Sequence, residues 1–363
     1  MTILAVVGTR PEVIKMAPVV HALRRRGIPV KLVATGQHHA VQMMGTFLDS
    51  FGLDVDHALS VHHRDLFGCL LDILEALGPV FQRASPHLAL AVGDTTTVLA
   101  TALAARKLGC AFGHVEAGLR AFSRELPEEE HRICADALGD LLFAPTRIAV
   151  ENLHREHVNG RVVHTGNPIL DALRAHPPVP RAPHERAGIL VTLHRQHTVD
   201  DPRRLAGALT ALRELGKSEP VEWPIHPRTL DRIQSLGVGL PSTVRITEPI
   251  GHAPFLERLA GARLVITDSG GVQEEAAILG TPCVCARDHT ERPETIEAGV
   301  ALVAGTDAAG ILRAARQILG DWGRYARAVP HLYGDGRAGD QIAEACAMFL
   351  GGEGVLHARA GGG

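Results

Sequence analysis

Aromatic residues are scarce, at 4% of 363 positions, and the formal net charge is only -3. Tracking a nucleic-acid backbone needs a basic stripe and stacking rings, and neither is present, so we expect no nucleic-acid partner. The six cysteines contain no Cys-x-x-Cys pair. Most sit among apolar residues, as small buried thiols do. Nothing suggests a disulfide framework, which fits a reducing cytoplasm. The 21 histidines, including His38-His39 and His62-His63, show no metal-ligand spacing with Cys or carboxylates, so no metal is expected. No apolar run is long enough to span a membrane, and none is expected as a partner. The N-terminus has no basic region ahead of its apolar run and enters Gly8-Thr9-Arg10 directly, as a first strand does rather than a signal peptide.

What is present is apolar substance for two cores: 45% hydrophobic residues over a length comfortable for two domains. Short continuous apolar runs alternate with helical stretches. The runs Leu4–Val7, Val30–Ala34, Leu88–Val92, Ala111–Val115 and Leu141–Ala144 read as buried strands. Helices are expected over Pro11–Arg25, from about His38, and over Thr95–Leu108, Glu128–Leu138 and Ile148–His154. This pattern predicts a parallel sheet covered on both faces. The proline-rich segment Ala175–Ala182 reads as a stiff linker. The alternation then restarts, with strands at Gly188–Leu193, Val221–Ile225, Val244–Glu248, Leu264–Thr267 and Cys283–Ala286. Helices fall between and after them, the last at about Asp340–Phe349. The expectation is α/β: two Rossmann-like doubly wound domains, 1–174 and 183–350, and a tail at 351–363. The last helix is a candidate to pack back on the first domain.

Ligands of open α/β sheets bind beyond the carboxyl ends of the strands, so residues just after strands carry most weight. Asp268-Ser269-Gly270-Gly271 ends a strand and opens a helix. Free amides at such a start attract an anion; an ordinary capping turn has the same composition. Glu275, one turn on, suits ribose hydroxyls or is an exposed helical acid. Arg287 and Arg292 follow the next strand and suit a diphosphate or a surface salt-bridge loop. In the first half, Arg10 and Lys15, then Asp94, then Glu116 follow three strands, and Glu128 begins a helix. Carboxylates gathered from such loops suit proton transfer, since burial and repulsion raise a pKa. Glu129 and Glu130 read as complements to the helix dipole. His194 and His226 each end a strand, as a general acid or phosphate donor, or as a satisfied structural residue.

Taken in order, these motifs resemble the bacterial non-hydrolysing UDP-N-acetylglucosamine 2-epimerases. The carriers are GTRPEVIKMAPV at Gly8–Val19, VGDTTT at Val92–Thr97, HVEAGLR at His114–Arg120, PEE at Pro127–Glu129 and TGN at Thr165–Asn167. In the second half they are VTLHR at Val191–Arg195, PIHPRT at Pro224–Thr229, TDSGGVQEEA at Thr267–Ala276 and RDHTERPE at Arg287–Glu294. The resemblance implies a GT-B-type pair of domains with a cleft, a homodimer, no cofactor, and exchange of UDP-N-acetylglucosamine with UDP-N-acetylmannosamine. It implies Asp94, Glu116, Glu128 and His194 as catalytic residues. Arg10, Lys15, His226, Ser269, Gly270, Gly271, Glu275 and Arg292 are implied on the UDP-sugar. A hydrolysing relative, releasing N-acetylmannosamine and UDP, and a glycosyltransferase of the same shape stay open as alternatives.

Several positions depart from the family pattern. His131, Gln196, His197 and His252 replace other residues. The family segment that helps bind a second, activating UDP-N-acetylglucosamine appears as Gln37-His38-His39-Ala40-Val41, and the family's Gln near His63-Arg64 is replaced. Ala40 has no side-chain hydrogen bond to offer, so weakened allosteric activation is expected.

Overall fold

The computed structural model describes residues 1–36, 47–62 and 65–353. It divides into two compact units, Met1–Ala175 with the chain from Tyr333 on, and His176–Leu332. Each is built on one parallel sheet.

The first unit holds a seven-stranded sheet in the order β3-β2-β1-β4-β5-β6-β7. Its strands are β1 (Ile3–Val7), β2 (Val30–Ala34), β3 (His57–Ala58), β4 (Leu88–Val92), β5 (Ala111–Val115), β6 (Leu141–Ala144) and β7 (Arg161–His164). All paired strands run parallel. Every residue of β1 and of β4 is fully buried. At roughly 1.5–3 kcal/mol for each large apolar side chain, these central strands carry much of the unit's stability. The helix Arg10–Arg25 starts on a capping box, Thr9 with Glu12, and ends on Arg24 and Arg25, which complement its dipole.

The final helix, Ala338–Met348, joins this unit rather than the second. Its Ile342, Ala343 and Cys346 are fully buried in the core that Val13, Met16 and Val20 form. Its start is held by Asp171, which accepts from the amides of Ala338 and Gly339 at 3.2 and 2.9 Å.

The second unit holds a six-stranded sheet in the order β10-β9-β8-β11-β12-β13. Its strands are β8 (Ile189–Thr192), β9 (Val221–Pro224), β10 (Val244–Thr247), β11 (Leu264–Thr267), β12 (Cys283–Cys285) and β13 (Ala301–Val303). These too pair in parallel. The fully buried Trp223 lies in its core with Ile266 and Val284. Among the described residues no helix is long and apolar enough to cross a membrane.

In both units the strand order reverses beside the first strand, between β1 and β4 and between β8 and β11. Such a reversal opens a crevice at the carboxyl ends, the place where doubly wound sheets take ligands. Thr9-Arg10 and Asp94 follow β1 and β4, while His194 and Asp268 follow β8 and β11.

Among the described residues of the first unit two helices escape the hydrophobic pattern, and in the second Pro227–Ser235 does so too. Leu66–Ala84 contains Gly68, Gly78 and Pro79, which read as breaks, yet Asp65 caps it by accepting from the Gly68 amide at 2.8 Å. Pro168–Ala175 is too short for a clear period. The helix expected from about His38 begins outside the described residues; 47–50 are helical.

Candidate active site

The crevice of the first unit is set by Gly8. A Cβ there would lie 2.1 Å from the Thr97 Oγ1 and 2.6 Å from the Thr35 Oγ1, so only glycine lets β1 end here. The chain then turns into its helix, placing Arg10 half-buried with its guanidinium 5.9 Å from the centre of the Phe47 ring. Glu12 is buried beneath this turn. It accepts from the Gly8 and Thr9 amides and, at 2.6 Å, from the Thr95 hydroxyl. Burial pushes its pKa up to about 7, against those hydrogen bonds, and Asp94 adds to the rise. Glu12 therefore ties the loop carrying Arg10 to the loop carrying Asp94. The residue went unassigned in the sequence, although the Thr-x-x-Glu spacing of Thr9 and Glu12 signals a capping box.

Lys15 lies one turn further along the same helix, 4% exposed. Its Nζ donates to the Glu116 Oε1 at 2.6 Å, and the Asn167 amide donates to the same oxygen at 3.3 Å. Glu116 has φ 71°, a left-handed backbone that costs a non-glycine residue on the order of 1 kcal/mol or more. Asp94 takes a hydrogen bond from Arg132 at 2.6 Å, and the His131 ring donates to the Asp94 carbonyl at 2.9 Å. Both partners belong to the helix Pro127–Leu138, whose second residue is the half-buried Glu128. These contacts link the surroundings of Asp94, Glu116 and Glu128 within one unit.

Glu129 corrects its reading as a dipole complement. It is 2% exposed, accepts from the Ala121 and Phe122 amides, and pairs with Arg132 at 2.5 Å. Buried carboxylates need such partners, and this one fixes the loop after β5. Glu130 stays exposed on the same helix.

In the second unit Asp268 is fully buried and accepts from the amides of His194 and Arg195 at 3.0 and 2.9 Å. It pins the end of β8 to the end of β11 and so fixes where His194 stands. The His194 side chain is 44% exposed. The protein around it lowers its pKa, Asp268 opposes that shift and Arg195 adds to it.

The helix Gly270–Leu279 begins immediately afterwards. Ser269 makes no side-chain cap and the first turn holds no acid, so the capping alternative for this turn is not realised. Gly270 lies against the loop after β12: a Cβ would sit 3.2 Å from the Glu291 Oε1 and 3.3 Å from the Arg292 Cζ. Arg292 is itself buried and pairs with Glu274, while Arg287 donates to Glu291 at 2.7 Å. The two arginines are thus packed and charge-balanced rather than displayed on a surface loop. Glu275 is also buried, and the His252 ring meets its Oε1 at 2.6 Å. His226 is exposed and caps the helix Pro227–Ser235, its Nδ1 accepting from the Arg228 amide at 3.3 Å.

The family model for UDP-N-acetylglucosamine 2-epimerase matches residues 21–347. A UDP-N-acetylglucosamine 2-epimerase of Methanococcus maripaludis is 36% identical over 359 residues, covering 93% of this chain and 96% of that protein. The chain belongs to the UDP-N-acetylglucosamine 2-epimerase family. A UDP-2,3-diacetamido-2,3-dideoxy-D-glucuronate 2-epimerase of Pseudomonas aeruginosa is 38% identical over 358 residues, with 95% and 99% covered. The crystal structure of the Methanocaldococcus jannaschii UDP-N-acetylglucosamine 2-epimerase in complex with UDP-N-acetylglucosamine and UDP superimposes with a TM-score of 0.89. It is 33% identical and covers 96% of this chain and 100% of that one. The two parallel-sheet units are those of the family's solved structures, and the chain is an enzyme, an epimerase by family.

The departing segment 37–41 and residues 63 and 64 lie outside the described residues. His131 and His252 are within them, and each has taken a defined partner, the Asp94 carbonyl and the Glu275 carboxylate.

Proposed function

We propose that this chain interconverts UDP-N-acetylglucosamine and UDP-N-acetylmannosamine by eliminating UDP and adding it back. The proton on sugar carbon 2 is not adjacent to a carbonyl, so a base alone removes it poorly. Departure of UDP from carbon 1 builds positive charge there and acidifies that proton. The base takes the proton, the carbon 1–carbon 2 double bond forms, and the carbon 1–oxygen bond breaks with its electron pair leaving on UDP. The bound 2-acetamidoglucal is then protonated on the opposite face while UDP returns. Electrons balance without an oxidant.

The observation that carries the reading is the acid-free, uncapped start of the helix Gly270–Leu279, beside the strand-end His194. Its amides and positive dipole end suit a diphosphate leaving group. In this reading Ser269, Gly270 and Gly271 hold the diphosphate, with Arg292 behind them and Glu275 on the ribose. His226, Arg10 and Lys15 also serve substrate binding. Asp94, Glu116, Glu128 and His194 supply acid–base chemistry. The buried cations beside Asp94 and Glu116 keep charge in the first unit's crevice balanced as protons move. Family membership supports the assignment, and the homodimer expected from the family goes with it. The loss of a side-chain hydrogen bond at Ala40 supports weakened activation by a second UDP-N-acetylglucosamine.

A second reading is a 2-epimerase of a UDP-diacetamido-glucuronate, favoured by the 38% identity to the Pseudomonas enzyme. One experiment separates the possibilities. Each UDP-sugar is incubated with the protein in heavy water and the products are resolved. Deuterium at carbon 2 of an intact manno-configured UDP-N-acetyl sugar supports the proposal. Free N-acetylmannosamine points to hydrolysis, exchange confined to the glucuronate points to the second reading, and no exchange with either sugar overturns both. Lag kinetics starting from pure UDP-N-acetylmannosamine, relieved by traces of UDP-N-acetylglucosamine, would refute weakened activation.

A further inference from the structure

His114 is the fourth residue of β5 and is fully buried, its ring stacked on Phe112 at 6.2 Å between centres. Its Nδ1 lies 2.6 Å from the Asp136 Oδ1 and its Nε2 lies 2.7 Å from the Gly93 carbonyl oxygen. A neutral imidazole has one donor and one acceptor nitrogen. A carbonyl oxygen only accepts, and so does an ionised carboxylate. Asp136 is held ionised: burial raises its pKa, but His114 and Arg120 outweigh that and leave it lowered. Its other oxygen accepts from the Gly118 amide at 3.0 Å and from Arg120 at 2.7 Å. Both ring nitrogens of His114 therefore face acceptors.

The pair anchors two loops at once. The Gly93 carbonyl belongs to the peptide that carries Asp94, and Gly93 has φ 89°, where any other residue is strained. Holding that oxygen sets the plane of the Gly93–Asp94 peptide. On the other side, Glu116 follows His114 by two residues, and Asp136 pins the Gly118 amide just beyond it. The charged groups facing the ring are Asp136 from the helix Pro127–Leu138 and, through it, Arg120, which also pairs with Glu156 at 2.5 Å. Asp94 and Glu116 flank it from the strand ends.

We propose that His114, held between Asp136 and the Gly93 carbonyl, acts with Asp136 as the positioning residue for the Asp94 and Glu116 loops. The assignment of those two acids to proton transfer rests on the proposed epimerase reaction; the hold of the ring on the two loops does not.

The test uses the full chain. Backbone hydrogen exchange read by mass spectrometry is expected to quicken on the order of tenfold in H114Q over residues 93–96 and 116–120, and to keep the wild-type rate over the strands of the second unit. Unchanged exchange over both segments in a folded H114Q protein overturns the proposal. D136N is measured in the same way should H114Q not fold, and unchanged exchange there overturns it too. With UDP-N-acetylglucosamine, H114Q is expected to lose on the order of 100-fold in kcat, the usual cost of misplacing catalytic groups by about 1 Å. KM and UDP affinity stay within about twofold. Unchanged kcat, or a loss confined to KM, overturns the positioning role. If the wild type does not act on this sugar, the epimerase reading fails while hydrogen exchange still decides the hold of His114 on the two loops.

Discussion

Lys15 and Glu116, 101 positions apart in the chain, meet in a buried ion pair at 2.6 Å. Neither side chain exposes more than 6% of its surface. Burying two charges repays its desolvation only while both are present. Replacing Lys15 by Met removes the Lys15 charge from the buried Glu116 carboxylate. The expected cost is about 3–5 kcal/mol, read as a lower urea midpoint. The double variant K15M/E116Q is expected to recover most of that stability and none of the carbon 2 exchange. A K15M protein as stable as wild type would show the pair contributes nothing.

Glu12 predicts a pH dependence of definite sign. Its folded pKa is raised from 4.5 to about 7. Between those values the unfolded chain has released a proton that the folded chain still holds. The stability contributed by neutral Glu12 is complete below pH 4.5 and is lost as pH rises through 7. E12Q cannot ionise, so the stability of wild type minus that of E12Q should fall between pH 4.5 and 8. A shift of this size corresponds to on the order of 3 kcal/mol. Parallel stability curves for the two proteins across that range would sink the idea. The same ionisation should alter the hold on the Gly8 and Thr9 amides, and with it the setting of Arg10.

The sheets were legible because their central strands are buried on both faces. Leu88–Val92 and Leu141–Ala144 are continuous apolar runs, Val30–Ala34, Ala111–Val115 and Leu264–Thr267 are apolar runs broken only by Lys31, by Gly113 and His114, and by the closing Thr267, and each is a strand over that whole span. The edge strands His57–Ala58 and Arg161–His164 carry half-exposed residues and leave no such run. Site candidates were legible from position, since polar residues just after strands stand at the crevices. Their partners were not. Asp94 meets Arg132 and Glu275 meets His252 because of strand order and helix packing, which local spacing does not encode. Glu129 shows the same limit: at the start of a helix an acid looks like a dipole complement until the loop it holds folds over it.

The cysteines offer a check on the packing of both units. Cys69, Cys110, Cys283, Cys285 and Cys346 are buried and Cys134 is exposed. Burial pushes the Cys110, Cys285 and Cys346 thiols up to about 12, which removes the reactive thiolate at neutral pH. A thiol reagent at pH 7.5 is expected to modify Cys134 rapidly in the native protein and the other five only after denaturation. Rapid native labelling of Cys346 would contradict the seating of the final helix on the first unit.

Gly270 tests the UDP assignment with little risk to the fold. A Cβ there meets the tip of Arg292 at 3.3 Å and the Glu291 carboxylate at 3.2 Å, contacts that side chains relieve by shifting a few tenths of an ångström. The position is helical, so the backbone accepts alanine, which also favours a helix over glycine by about 1 kcal/mol. G270A should therefore unfold at nearly the wild-type urea midpoint. The methyl group stands at the amide cluster proposed to receive the diphosphate, where close approach matters most. UDP affinity is expected to fall at least about tenfold, a loss of about 1.4 kcal/mol, measured by calorimetry. A substrate effect without stability loss assigns the glycine to ligand approach. Unchanged UDP affinity in a folded G270A protein would move the diphosphate away from this helix and take the leaving-group argument with it.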